Sequence, residues 1–197
     1  MQSIKEKTLN ETIWIRKAQG GDADAFRNLV ERHGSIIWSV INRMAPEPHL
    51  AEDLFQETVI RFWRGLPSFK GDSKLSTWLY RIVYRVYLDS LGESNQRETW
   101  VYLNDEMEIT DDRIEDQEHS RVRIENDLAA REAVLQALGR LHPEWRSMII
   151  LYYWREQSIE EISEITGRPV NTVKVYLHCA RSFLGKVLEM KGFPQGS

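Results

Sequence analysis

Apolar residues recur at helical spacing through most of this chain, and the breaks between them are sharp. After Gly20-Gly21-Asp22, which reads as a turn with Asp22 as an N-cap, come Ala25, Phe26, Leu29, Val30, His33, Ile36, Ile37, Val40, Ile41 and Met44. Pro46 and Pro48 end that helix. A second helix is predicted from about Leu50 to Arg64, with Leu54, Thr58, Val59, Phe62 and Trp63 turned inward, and Gly65 and Pro67 stop it. Gly71-Asp72-Ser73 opens a third, whose stripe is Leu75, Trp78, Leu79, Ile82, Val83, Val86 and Leu91, closed by Gly92.

Beyond Gly92 the periodicity is lost. Residues 93–127 are polar, acidic and poor in core side chains, and read as a linker that is extended or only partly helical when free. Helical spacing returns near Leu128. Leu135, Leu138 and Leu141 mark one helix, and Pro143 stops it and starts the next, which carries Trp145, Met148, Ile149, Leu151 and Tyr152. Ser158-Ile159-Glu160-Glu161 has the form of a capping box, in which the serine caps the helix and the glutamate reaches back. A short helix, Ile159–Ile165, ends at Gly167. The last helix shows Val173, Leu177, Ala180, Leu184, Val187 and Leu188 on one face. The expected fold is all-α: two small helical domains, at 10–92 and 128–191, joined by an acidic flexible linker at 93–127.

Charge and composition refine this picture. Taken as a whole, the net charge of −4 argues against a nucleic-acid partner. Yet residues 92–127 hold twelve Asp/Glu against four Arg, a balance of −8, so the rest carries +4. Such weakly basic domains would bind DNA poorly alone, because phosphate neutralisation supplies most non-specific affinity. No run approaches the ~18 apolar residues of a membrane helix, and no secretory signal opens the chain, so a cytoplasmic protein without membrane insertion is expected. Cys179 is the single cysteine, which leaves no internal disulfide and no cysteine-rich zinc site. The five histidines are scattered without metal-ligand spacing, and no P-loop, GxSxG or Rossmann fingerprint occurs. No catalytic residue, metal site or cofactor is expected.

Three segments suggest binding instead. The two short C-terminal elements around Gly167 form a helix-turn-helix pattern, whose second helix enters the major groove. Its outward residues are Asn171, Thr172, Lys174, Val175, His178 and Arg181. In Asp53-Leu54-Phe55-Gln56-Glu57, the residues Asp53, Gln56 and Glu57 lie one helical turn apart, a carboxylate and amide patch suited to an Arg-rich partner; alone, a solvated acidic face is the plainer reading. From Phe69 to Ile82, aromatic, basic and hydroxyl residues crowd a loop and the helix after it, as in sites that hold single-stranded DNA. Trp78 belongs to the apolar stripe; Lys70, Lys74, Tyr80, Arg81, Tyr84 and Arg85 are the candidates for DNA contact.

Together the segments "AEDLFQETVIRFW", "FKGDSKLSTWLYRI" and "LQALGRLHPEWRSMIILYYWREQSIEEISEITGRPVNTVKVYLHCARSFL" resemble the sigma-70 family of transcription initiation factors, in its small extracytoplasmic-function group. The resemblance implies core RNA polymerase as partner, met at the clamp helices of its largest subunit and the flap of the second-largest. It also implies promoter DNA and an anti-sigma factor. It places polymerase docking at Asp53, Leu54, Gln56 and Glu57. Capture of a flipped −10 base falls to Lys70, Gly71, Asp72, Ser73, Lys74 and Ser76, with Tyr80, Arg81, Tyr84 and Arg85 lining the same strand. Reading of the −35 duplex falls to Arg168, Asn171, Thr172, Lys174, Val175, His178 and Arg181.

Two departures stand out. Where family members usually read GTVKSRLHRAR, this chain has NTVKVYLHCAR, so Val175, Tyr176 and Cys179 replace one small polar and two basic residues. On that alignment Cys179 sits on the DNA face, and an arginine there would tighten binding. The loop FKGDSK also lacks the asparagine that some members use. The alternative is a stand-alone helix-turn-helix regulator whose N-terminal half senses or dimerises.

Overall fold

The computed structural model describes residues 4–45, 47–92 and 128–191. The expected linker therefore lies outside the described residues. These residues form eight α-helices and no strand: α1 (Ile4–Gln19), α2 (Ala23–Met44), α3 (Pro48–Gly65), α4 (Leu75–Ser90), α5 (Leu128–Gly139), α6 (Pro143–Ile149), α7 (Ile159–Thr166) and α8 (Val170–Met190). A 3-10 turn, Leu66–Ser68, follows α3, and a π turn, Ile150–Trp154, follows α6. The chain divides into two compact units, Met1–Val86 and Tyr87–Ser197.

In the first unit α1 packs on α2 and on the 3-10 turn, and α2 packs on α3. Gly21, at a φ of 91°, makes the turn between α1 and α2. The Asp22 carboxylate caps α2 as expected, accepting the N–H groups of Asp24 at 3.0 Å and Ala25 at 2.9 Å. Glu11 on α1 pairs with His33 and, at 3.4 Å, with Arg32 on α2. The last side chain of α1, Gln19, donates its amide to the carbonyls of Leu66 at 3.1 Å and Phe69 at 2.8 Å. The sequence pattern carries no clear stripe for α1, yet this helix ties down the segment between α3 and α4.

Aromatic rings join the remaining elements. Phe26 of α2 meets Phe62 and Trp63 of α3, both at 4.8 Å between centroids. Trp78 of α4 meets Phe62 at 5.9 Å and Phe69 at 5.2 Å. Pro48, expected to end the preceding helix, instead occupies the first turn of α3, where its missing N–H has no intrahelical partner to lose. The buried stripe of α3 is Ala51, Leu54, Thr58 and Phe62; Trp63, expected inward, is 39% exposed, with its ring set against Phe26.

In the second unit α5, α6 and α7 all pack against α8. The α5 stripe is Ala133, Val134, Ala137 and Leu138. Leu135, expected in the core, is 45% exposed, because it lies one residue off that stripe. Arg146 is buried and donates to the carbonyls of Gly139 and Leu141, closing the end of α5. Burial pushes its guanidinium below its usual pKa.

Thr58 is fully buried within α3, and its hydroxyl meets no hydrogen-bond partner among the described residues. A buried unsatisfied hydroxyl opposes folding. Thr58→Val should therefore stabilise the first unit by about 1 kcal/mol, raising its thermal midpoint by roughly 4–8 °C in calorimetry. A lower midpoint would show that the hydroxyl has a use.

Candidate functional site

Three surfaces carry the residues singled out in the sequence. The first is the outward face of α3. Asp53 and Gln56 are exposed, and Glu57 is half-exposed and accepts a hydrogen bond from Arg61 one turn on, at 2.7 Å. Leu54 does not belong with them: it is a core residue, turned about 100° from Asp53 around the helix. Ile60 extends the face by another turn and is 42% exposed. Its spacing of three from Glu57 and seven from Asp53 is the signal that places it there.

The second surface is the loop between Phe69 and α4. Gly71 turns it at a φ of 82°, a conformation that side-chain-bearing residues rarely adopt. Lys70, Gly71, Asp72 and Lys74 are exposed, and Ser73 and Ser76 are half-buried. Phe69 turns back onto Trp78, so that Trp78 is a packing residue, as expected. On α4, Arg85 is exposed and Arg81 half-buried. Tyr80 and Tyr84 are both only 4% exposed, which corrects their placement on an open DNA face. The stripe expected for α4 is one-sided, whereas the observed helix also buries Thr77, Tyr80, Tyr84 and Tyr87. Either tyrosine would need its cover removed before it could touch a base.

The third surface is the helix-turn-helix of α7 and α8. The capping box forms: Ser158 Oγ accepts the Glu161 N–H at 3.1 Å and Glu161 Oε2 accepts the Ser158 N–H at 3.0 Å. Gly167 closes α7 in the left-handed region, at a φ of 72°. Ser163 Oγ donates to the Arg168 carbonyl at 2.7 Å, which fixes the turn. Asn171 and Arg181 are exposed, and Thr172, Lys174, Val175 and His178 are half-buried. Arg168 is exposed and paired with Glu144 at 2.5 Å. His142 caps α6 by accepting the Glu144 N–H on Nδ1 at 3.2 Å, and burial lowers its imidazole pKa, with Glu144 opposing.

Among the described residues no three His, Cys, Asp or Glu side chains are grouped as metal ligands. No described helix is long and apolar enough to cross a membrane.

Comparison with known proteins gives concordant matches for both units. Residues 29–97 match the family described as Sigma-70 region 2, and residues 131–184 match Sigma-70, region 4. The ECF RNA polymerase sigma factor SigW of Bacillus subtilis is 32% identical over 182 residues, covering 88% of this chain and 94% of the relative. The ECF RNA polymerase sigma-E factor of Escherichia coli is 29% identical over 177 residues, covering 88% and 91%. Among solved structures, CnrH in complex with the cytosolic domain of CnrY is similar in fold, with a TM-score of 0.63 at 23% identity, covering 92% of this chain and 98% of that one. The sigma factor RpoE with the anti-sigma factor NepR from Bartonella quintana has a TM-score of 0.61 at 24% identity, covering 83% and 96%.

Cys179 requires a correction of its own. It is 3% exposed, and burial pushes its thiol pKa up. Tyr176 likewise turns its ring towards Trp145 of α6, 6.1 Å between centroids. Cys179→Arg would thus place a guanidinium at a buried position. It should destabilise the second unit by about 3 kcal/mol or more, and leave DNA affinity no higher than before. Thermal unfolding measured beside DNA binding at several salt concentrations decides the matter. Unchanged stability with tighter binding and a steeper salt dependence would return Cys179 to the DNA face.

Proposed function

The chain belongs to the sigma-70 family, in its ECF group of RNA polymerase sigma factors, and from that premise we propose how its surfaces divide the work of initiation. Core polymerase docks on Asp53, Gln56 and Glu57, with Ile60 at the edge of the contact. An exposed carboxylate and amide face suits an Arg-bearing partner, because a planar guanidinium can satisfy both oxygens of a carboxylate at once. The loop Lys70–Ser76, with Arg81 and Arg85 beside it, takes an unstacked base of the −10 element and follows the strand's phosphates. Helix α8 lies in the major groove of the −35 duplex, with Asn171, Thr172, Lys174, Val175 and His178 towards the bases and Arg168 and Arg181 towards the backbone.

The single observation that carries this reading is that these polar and basic side chains are exposed or half-exposed, next to a core built from other faces of the same helices. The energetics agree. Opening duplex DNA costs roughly 1.4 kcal/mol per base-pair step, and a captured base returns about 1–3 kcal/mol, so a few seated bases hold a melted −10 element open. The protein acts by binding and orienting and contributes no catalytic group. It works in the cytoplasm alongside the polymerase. Since RpoE is solved with an anti-sigma factor, a partner of that kind is proposed here too. The family matches cover both halves of the chain, which leaves the stand-alone regulator unfavoured.

Docking is tested by reversing its charge. Asp53→Arg combined with Glu57→Arg should weaken core polymerase binding at least tenfold, about 1.4 kcal/mol, in a direct titration; affinity equal to the parent's would end the claim. Base capture is tested kinetically. Lys74→Ala should slow open-complex formation about three- to tenfold while duplex −35 binding stays within twofold. Equal losses in both assays would count against the loop.

A further inference from the structure

We propose that Gln19 is a positioning residue for base selection: its side-chain amide sets the shape of the Lys70–Ser73 loop in which a −10 base is read. The inference rests on the base-capture reading of that loop. A primary amide has two N–H groups. Gln19 directs one to the Leu66 carbonyl at 3.1 Å and one to the Phe69 carbonyl at 2.8 Å, across 47 and 50 residues of chain. The Leu66 carbonyl also accepts the Phe69 N–H at 3.1 Å, so the 3-10 turn and the amide close on each other.

The consequence lies in the next peptide unit. Holding the Phe69 carbonyl fixes the plane of the Phe69–Lys70 peptide, from which the loop departs. At the far root the Lys74 carbonyl accepts the Trp78 N–H at 3.1 Å as α4 begins. Only Lys70, Gly71, Asp72 and Ser73 lie between these two fixed carbonyls, and Gly71 supplies the one left-handed turn among them. Four residues spanning fixed ends have few solutions, so a rotation at Phe69–Lys70 moves every side chain that would line a base. Gln19 is itself held: α1 closes with Gly20 and Asp22 N–H groups on the Lys17 carbonyl and the Gly21 N–H on the Ala18 carbonyl. Aliphatic or acidic replacements of similar length cannot donate to two carbonyls.

The test uses the full chain with core polymerase and a promoter library randomised across the −10 element, transcribed in vitro. The quantity read is the ratio of product from the best to the worst base at each position. A variant that only destabilises the fold lowers all products alike and leaves these ratios unchanged. Gln19→Glu and Gln19→Leu should reduce the ratio about threefold or more at one −10 position, the scale of a single neutral hydrogen bond. Gln19→Lys, which keeps N–H donors, should retain more of it than Gln19→Leu. Ser73→Ala and Lys74→Ala serve as references within the loop. If they change the ratio and the Gln19 variants do not, the positioning role is overturned and base capture stands. If none of the five changes it, base capture falls and takes the positioning role with it.

Discussion

The contact between the Trp78 ring and the backbone of Gly65 governs the geometry of the first unit. A Cβ on residue 65 would lie 3.2 and 3.3 Å from two carbons of that ring, closer than such atoms normally approach. The bare glycine lets the indole seat against the end of α3, where it also meets Phe62 and Phe69. Phe62 in turn meets Phe26, so one group of rings links α2, α3, the 3-10 turn and α4. Aromatic pairs of this kind contribute roughly 0.5–1.5 kcal/mol each beyond the area they bury. Their geometric effect is greater than that sum suggests. The exposed face of α3 and the root of the Lys70–Ser73 loop are both referred to the same rings.

Much of this architecture is legible in the sequence because it rests on local rules. The Asp22 cap, the Ser158 capping box and the Gly167 stop follow from chemistry within four residues, and all three form. The stripes of α2 and α8 are legible because the main buried face of each keeps helical spacing; Cys179, buried off the α8 stripe, is not part of that pattern. Where a helix buries more than one face, the pattern fails. On α4 an apolar stripe is visible, but the burial of Tyr80 and Tyr84 is not, because an amphipathic tyrosine reads equally well as surface or core. On α5 the small residues Ala133 and Ala137 form the stripe, and the larger Leu135 misleads.

The least legible features are long-range. Gln19 is separated from its carbonyl partners by about fifty residues, and nothing in its neighbourhood marks it as more than the end of a helix. The same holds for Cys179. Aligned by position it falls where a basic residue is usual, yet in the structure it is buried. A family resemblance transfers positions, while burial decides which of them can reach a ligand. Leu54 is the clearest case, since it stands within the docking motif and is buried in the core.

These corrections bear on how strongly the second unit could hold DNA by itself. With Cys179 buried and Tyr176 turned towards Trp145, the cations left among the residues assigned to −35 recognition are Arg168, Lys174 and Arg181. Arg168 is already engaged by Glu144 and would have to exchange that carboxylate for a phosphate. Three phosphate contacts give a salt dependence of about −2.7 on a log–log scale, against the 6–10 contacts of a strong independent binder. Between 50 and 200 mM salt that amounts to roughly a fortyfold loss, from an affinity that starts low. A surface this sparsely charged discriminates among sequences only when something else holds it close to the duplex. The acidic face of α3 then has a consequence for recognition at −35 as well as for docking. On the docking proposed above, that face would fasten the chain to a larger assembly that touches DNA elsewhere, and the local concentration so gained would replace the missing cations.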